Sequence, residues 1–416
     1  MNILFIMYNI FDIRNGVSNK YINFIKSIEN NNNISFIMTK NIDNQNNTNT
    51  HKNIIFNNTK IYYTRGINVP FYDKIKIPFI NDDLIKSIIK DEKYIIIFNG
   101  EFFWLYDILI NIKKNNNNVL LYPTWHTDYE EYFKKYISDK INIKYMMNIL
   151  YENLNFKVFN GIIVTGEYTK KKFLKYTEQV FNANELCIDN FNFFKIDKYN
   201  KDKIINFIYC GRVSIEKNID EIFDILINID VLTNSYIKLD INIHIIGDGP
   251  YLEKLKIKYI NNINQIHFYN ELKYDEILRI YKKLDNRIFI MCSETETFGK
   301  APMEAGLTGI PIFIKKFNNI QFMYNDSNAF IFETKIDFIN NLIYFLNLST
   351  AKKEEFMHNS LNNIYKYDQK KIFKEWEHFL LDNYSKSFEL IEPIINKTKF
   401  NQFLNLIQCS MNIISE

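Results

Sequence analysis

A chain of 416 residues with 47% hydrophobic and 24% charged residues has the length of two globular domains of roughly 200 residues each. Its 51 basic and 48 acidic side chains leave a net charge of only +3, which excludes the strong basic footprint of a nucleic-acid binder. No apolar run approaches the roughly 18 residues of a membrane span. Cys187, Cys210, Cys292 and Cys409 stand singly, without the C-x-x-C spacing of a zinc or disulfide framework, so a cytoplasmic protein is the simplest expectation.

In chain order, Ile3–Met7 is apolar but short and lacks a basic leader and a small-residue cleavage site. It reads as a first strand and not a signal peptide. The turn Asn15-Gly16-Val17-Ser18 leads into a helix over Ser18–Ile28, and a glycine there lets backbone amides face an anion at the helix N-terminus. Further strands are predicted at Ile34–Met38, Tyr94–Phe98, Val119–Tyr122 and Ile162–Thr165, with an Asn-rich surface loop over 41–59. His126 follows directly on one of these strands, within Pro-Thr-Trp-His-Thr-Asp-Tyr. A histidine at a parallel strand's carboxyl end can position a sugar or assist proton transfer, and a structural histidine satisfies the same pattern. Phe133–Lys157 and Tyr168–Tyr176 are basic, as a helix lying on an anionic membrane would be, or simply a solvated face.

A polar break at Asp189–Lys203 separates a second set of strands: Asn206–Cys210, Ile241–Ile246, Ile266–Tyr269, Arg287–Cys292, Ile310–Ile314 and Ala329–Phe332. Helices are predicted at Asp220–Ile229 and Tyr274–Lys283. Strand-helix alternation in both halves predicts an α/β protein of two Rossmann-like domains, over residues 1–195 and 204–367, with a helical segment at 368–416. Ligands of such sheets sit beyond the strand carboxyl ends. There the second half carries Gly211-Arg212, then Glu216-Lys217-Asn218, then the turn Gly247-Asp248-Gly249-Pro250. Arg212 and Lys217 are two fixed cations suited to a pyrophosphate, although surface cations and an ordinary turn read the same way singly.

Residues 293–311 hold two carboxylates, Glu296 and Glu304, with seven residues between them around Phe298-Gly299. A strand, a loop with one acid and a helix with the other would hold a polyhydroxylated, phosphorylated ligand, because Gly299 allows close backbone approach and the helix start favours phosphate.

Taken together, Gly211-Arg212, Glu216-Lys217-Asn218, Gly247-Asp248-Gly249, Glu296-Thr-Phe-Gly, Glu304-Ala and Gly309-Ile-Pro311 resemble the retaining glycosyltransferases of family 4. Asn15-Gly16-Val17 and His126-Thr127-Asp128 extend the resemblance into the first half. It implies a GT-B fold, two Rossmann-like domains with parallel sheets facing across a cleft, with the C-terminal helix crossing back to the first domain. It implies a hexose moved from a UDP- or GDP-sugar to a hydroxyl acceptor, with retention and without a metal or other cofactor. Arg212 and Lys217 would hold the diphosphate, with Gly16 near the phosphates and Gly247 in the donor wall. Glu304 would bind the ribose, and Glu296 with the backbone at Thr297, Phe298 and Gly299 the sugar ring. His126 would lie near the transferred sugar. The stretch HTDYEEY over 126–132 resembles the lipid-glycosylating branches, so a membrane glycolipid acceptor and peripheral contact with the cytoplasmic face are expected. A soluble glycan or polysaccharide precursor, or a non-catalytic nucleotide-sugar binder, is the alternative, and an epimerase is disfavoured by the complete Glu296–Glu304 pattern. Lys300, and Gly306 before Leu307, depart from the family's usual residues.

Overall fold

The computed structural model describes residues 1–11, 16–39, 59–69, 72–90, 92–100, 102, 105–126, 151, 156–184, 199, 204–229, 239–262, 265–294, 296, 298–317 and 320–384. Asn15, residues 127–132 of HTDYEEY, most of Phe133–Lys157, Thr297, Cys187 and Cys409 lie outside the described residues. The chain divides into two compact units, Met1–Cys187 with Gln369–Glu416, and Ile188–Asp368. Among the described residues no helix is long and apolar enough to cross a membrane.

The first unit runs β1 (Asn2–Ile6), α1 (Gly16–Ile28), β2 (Asn33–Thr39), β3 (Lys60–Thr64), β4 (Gly66–Val69), β5 (Tyr72–Pro78), α2 (Asp82–Ile89), β6 (Tyr94–Asn99), α3 (Leu105–Asn115), β7 (Val119–Trp125), β8 (Ile162–Val164), α4 (Glu167–Phe173) and β9 (Val180–Asn182). Seven of these strands form one sheet in the order β3-β2-β1-β6-β7-β8-β9, parallel throughout. β4 and β5 pair apart from it as an antiparallel hairpin. The central strands are apolar on both faces because both faces are covered. Leu4, Ile6, Ile96 and Phe98 pack with Ile85, Leu105 and Leu109 of α2 and α3. The alternate residues Ile3, Phe5, Ile95 and Ile97 pack with Tyr21, Phe24 and Ile25 of α1. Each fully buried side chain of this kind contributes about 1.5–3 kcal/mol.

The second unit contains β10 (Ile205–Cys210), α5 (Ile219–Leu226), β11 (Ile241–Ile246), α6 (Leu252–Lys258), β12 (Ile266–Tyr269), α7 (Tyr274–Lys283), β13 (Arg287–Met291), α8 (Lys300–Leu307), β14 (Ile312–Lys315), β15 (Phe330–Phe332), α9 (Lys335–Asn347) and α10 (Thr350–Tyr365). Its sheet, β12-β11-β10-β13-β14-β15, is also parallel. Local sequence sets the helix starts: Thr334 and Asp337 make a reciprocal capping box at α9, which satisfies amides that the helix leaves open. Chain order reverses direction at β1/β6 in the first sheet and at β10/β13 in the second, the switch points where α/β sheets bind ligands.

After the second unit comes α11 (Gln369–Tyr384), which packs in the first. Trp376 is fully buried and stacks on Phe24 of α1 at 3.8 Å and 7°. Every strand expected from an apolar run is present, with only its ends shifted. The unexpected strands are β3 and β9, the two edges of the first sheet, and β4 and β5, the separate hairpin.

Candidate functional site

At the carboxyl end of β10 the backbone of the second unit is drawn tight. Gly211 N–H donates to Ile246 O at 2.9 Å and Val213 N–H to Asp248 O at 2.9 Å, so the loops after β10 and β11 continue the strand ladder. Gly247 is required there: its φ is +138°, and a Cβ would stand 2.0 Å from the carbonyl oxygen of Gly211. Tyr209 is buried and its hydroxyl donates to Arg212 O at 2.7 Å, which fixes the main chain that carries the Arg212 side chain.

Three residues on, a short 3-10 turn, Ile215–Lys217, brings Lys217 back over the sheet edge. Its ammonium meets the Glu296 carboxylate at 2.5 Å, with the two side chains 19% and 15% exposed. Lys217 and Glu296 are thus brought together at the β10/β13 switch point. An ammonium has three donors, so Lys217 can keep Glu296 and still bind a phosphate oxygen. Glu216 is buried and accepts from Ser214 Oγ at 2.6 Å. Asn218, left-handed at φ 49°, donates to Glu221 at 2.5 Å, and Lys315 of β14 pairs with the same carboxylate. These bonds hold the turn from below.

Phe298 is buried and sits edge-on to Tyr367, ring centroids 4.9 Å apart. Gly299, at φ +65°, starts α8 with no side-chain acceptor on the helix amides. Glu304 lies four residues into that helix, half-buried. Burial pushes the Cys210 thiol up to about 12, and the Glu304 charge adds to it. Burial and then Glu304 likewise raise Tyr274. Burial raises Tyr209 well above its ordinary value, with Glu296 the next cause. The two carboxylates therefore bear on neighbouring residues of one strand end. Cys210, Tyr274 and Tyr281 around Glu304 have no motif to announce them.

In the first unit, Gly16 opens α1 and is exposed. His126 follows β7 and is 8% exposed. Its Nε2 lies 2.8 Å from the Tyr21 hydroxyl, and its Nδ1 lies 3.0 Å from Thr165 Oγ1 and 3.3 Å from Lys20 Nζ. The sequence did contain a signal for Lys20: it falls beside Tyr21, Phe24 and Ile25 on the buried stripe of α1. Thr165 had one too, since Trp125 pairs with Val164 and the next residues of β7 and β8 are neighbours.

Residues 189–364 match the family Glycosyl transferases group 1. Sulfoquinovosyl transferase SQD2 of Arabidopsis thaliana is 31% identical over 113 residues, which is 27% of this chain and 20% of that protein's length. TarM of S. aureus has a similar structure, with TM-score 0.64 and 15% identity over 92% of this chain and 99% of that one. HepE of Anabaena, solved in complex with UDP and glucose, has TM-score 0.59 and 12% identity over 92% of this chain and 100% of the other. The fold is GT-B.

Proposed function

We propose, from a glycosyl transferases group 1 domain over residues 189–364 within a GT-B fold, that this protein is a retaining glycosyltransferase. It moves a hexose from a UDP- or GDP-sugar to a hydroxyl acceptor. The observation that carries the reading is the Lys217–Glu296 pair at 2.5 Å at the switch point of the second sheet. A departing nucleoside diphosphate gains negative charge, and two cations fixed before the reaction stabilise it without reorganising. Arg212 and Lys217 supply that charge from the protein, so the proposed reaction is independent of metal. In this reading Glu296 accepts from sugar hydroxyls while its carboxylate orients Lys217. Glu304 takes the ribose hydroxyls, and the open amides of Gly299 and the first turn of α8 face the donor. Gly16 and His126 keep, in this reading, the roles that the resemblance implies. A similar structure, HepE, was solved with UDP and glucose, which supports a UDP-sugar as the first donor to try.

A membrane glycolipid is the preferred acceptor in this reading. The observation in favour is α4 and the residues just after it, where Tyr168 and Leu174 are 39% and 45% exposed among Lys170, Lys171, Lys172 and Lys175. Aromatic and aliphatic groups set among lysines suit an anionic lipid surface.

The test is release of UDP or GDP from a panel of UDP- and GDP-sugars, with and without anionic lipid vesicles. Vesicle-dependent release is expected, unaffected by EDTA. Release that ignores lipid would move the acceptor to a soluble glycan, loss of release with EDTA would overturn the metal-free mechanism, and nucleotide binding without turnover would leave a non-catalytic binder.

A further inference from the structure

The surroundings of His126 fix its chemistry more narrowly than its position does. Lys20 is 2% exposed, and its Nζ lies 2.5 Å from Thr165 Oγ1, 3.3 Å from His126 Nδ1 and 3.4 Å from Ala183 O. An ammonium is a donor only. It can face Nδ1 at that distance only if Nδ1 presents a lone pair. Thr165 Oγ1 accepts from Lys20, and its own hydrogen is then available to Nδ1 at 3.0 Å. The proton of the neutral ring must therefore sit on Nε2, which donates to the Tyr21 hydroxyl at 2.8 Å. Tyr21 is held in turn: its ring is edge-on to His126 at 5.4 Å and to Trp376 of α11 at 5.8 Å.

We propose that Lys20 and Thr165 lock His126 as the neutral Nε2–H tautomer, with Tyr21, buttressed by Trp376, as its acceptor. Lys20, Tyr21 and Thr165 are positioning residues. The consequence for transfer rests on the proposed function: a ring whose Nε2 already carries a proton is no base at that atom, so His126 contributes a fixed orientation and not proton abstraction.

The protonation claim is tested without turnover. The full chain is labelled with ¹⁵N-histidine, and the imidazole nitrogens are read by NMR. Only six histidines are present, so the His126 signals are assigned by their loss in His126→Gln. A protonated Nε2 and an unprotonated Nδ1 are expected; the reverse, or an imidazolium, overturns the proposal. Lys20→Met should shift Nδ1 and mix the tautomers, whereas Lys20→Arg, which keeps a donor, should restore the wild-type pattern. If Lys20→Met does not fold, Thr165→Val removes a single hydroxyl and should still shift Nδ1. Wild-type nitrogen shifts in both folded variants would remove the lock. In the transfer assay Lys20→Met should lower kcat about tenfold with donor KM little changed, the pattern of lost positioning. A locked tautomer in a protein that releases no nucleotide would overturn the glycosyltransferase reading and leave the lock standing.

Discussion

Lys217 has two tasks, because the ammonium that would meet the diphosphate also neutralises Glu296 at 2.5 Å. Lys217→Ala removes a cation from the leaving group and leaves a partly buried carboxylate unpaired. Arg212→Ala likewise removes a cation from the leaving group. Each should lower turnover by about 100-fold or more, the scale of one lost charge-stabilising donor, and Lys217→Ala should also cost stability, because it leaves Glu296 without its ammonium. Nucleotide-release kinetics and thermal melts separate the two; near wild-type turnover in both would remove the diphosphate assignment. Glu304 lies at the other end of the donor in this reading. Glu304→Ala should therefore raise the donor KM more than it lowers kcat, since an interaction far from the reacting carbon is made equally in ground and transition states. Arg212, Lys217, Glu296 and Glu304 were legible because each stands in a short contiguous motif behind an apolar strand. Lys20, Tyr21 and Thr165 carried only the faint signals of a buried helix stripe and a strand end, because α1 and the ends of β7 and β8 bring them together from separate parts of the chain.

At the scale of elements, the apolar runs announced the central strands because both of their faces are buried. β3, at the sheet edge, has only part-buried and exposed side chains, and reads as Lys-Ile-Tyr-Tyr-Thr after an Asn-rich tract. β9 is three residues long. Neither carries the uninterrupted apolar run of a central strand. Two glycines show how much the elements depend on close approach. A Cβ on Gly247 would stand 2.0 Å from the Gly211 carbonyl oxygen, a backbone atom. A Cβ on Gly306 would meet Ile364 Cδ1 at 2.7 Å and Ser360 Oγ at 3.0 Å, side-chain atoms of α10. The small residue at Gly306 thus has a packing reason: side chains of α10 stand close against α8 there. Side-chain ends can shift and a ladder carbonyl cannot. Gly247→Ala should cost about 2–3 kcal/mol and weaken nucleotide binding, whereas Gly306→Ala should cost about 1 kcal/mol. Urea unfolding with nucleotide titration measures both, and a smaller cost at Gly247 than at Gly306 would contradict the tight loop.

Over the whole molecule, the same wiring is used twice: two strands to one side of the starting strand, then the rest to the other. The alternation of strands and helices made two parallel sheets legible, but strand order is a long-range property that no local pattern encodes. The two units have separate cores, so a titration confined to one can be followed there. In the second unit, His244 of β11 is buried and its Nε2 lies 2.9 Å from Asn206 Oδ1. Its ring stacks on His267 of β12 at 4.8 Å. Burial, helped by His267, lowers its pKa to about 4 from the usual 6.5. The folded state therefore favours the neutral ring, while the unfolded chain takes up a proton below about pH 6.5. The contribution of His244 is complete above that pH, shrinks as pH falls toward 4, and amounts to roughly 3 kcal/mol in all. Between pH 7 and pH 5 the protein should lose about 2 kcal/mol of stability through this group. His244→Gln keeps a donor for Asn206 and cannot titrate, so its urea midpoint should fall less over the same interval. Equal falls in the two proteins would mean that His244 is protonated in the folded state and that the His244–His267 stack accommodates a charge.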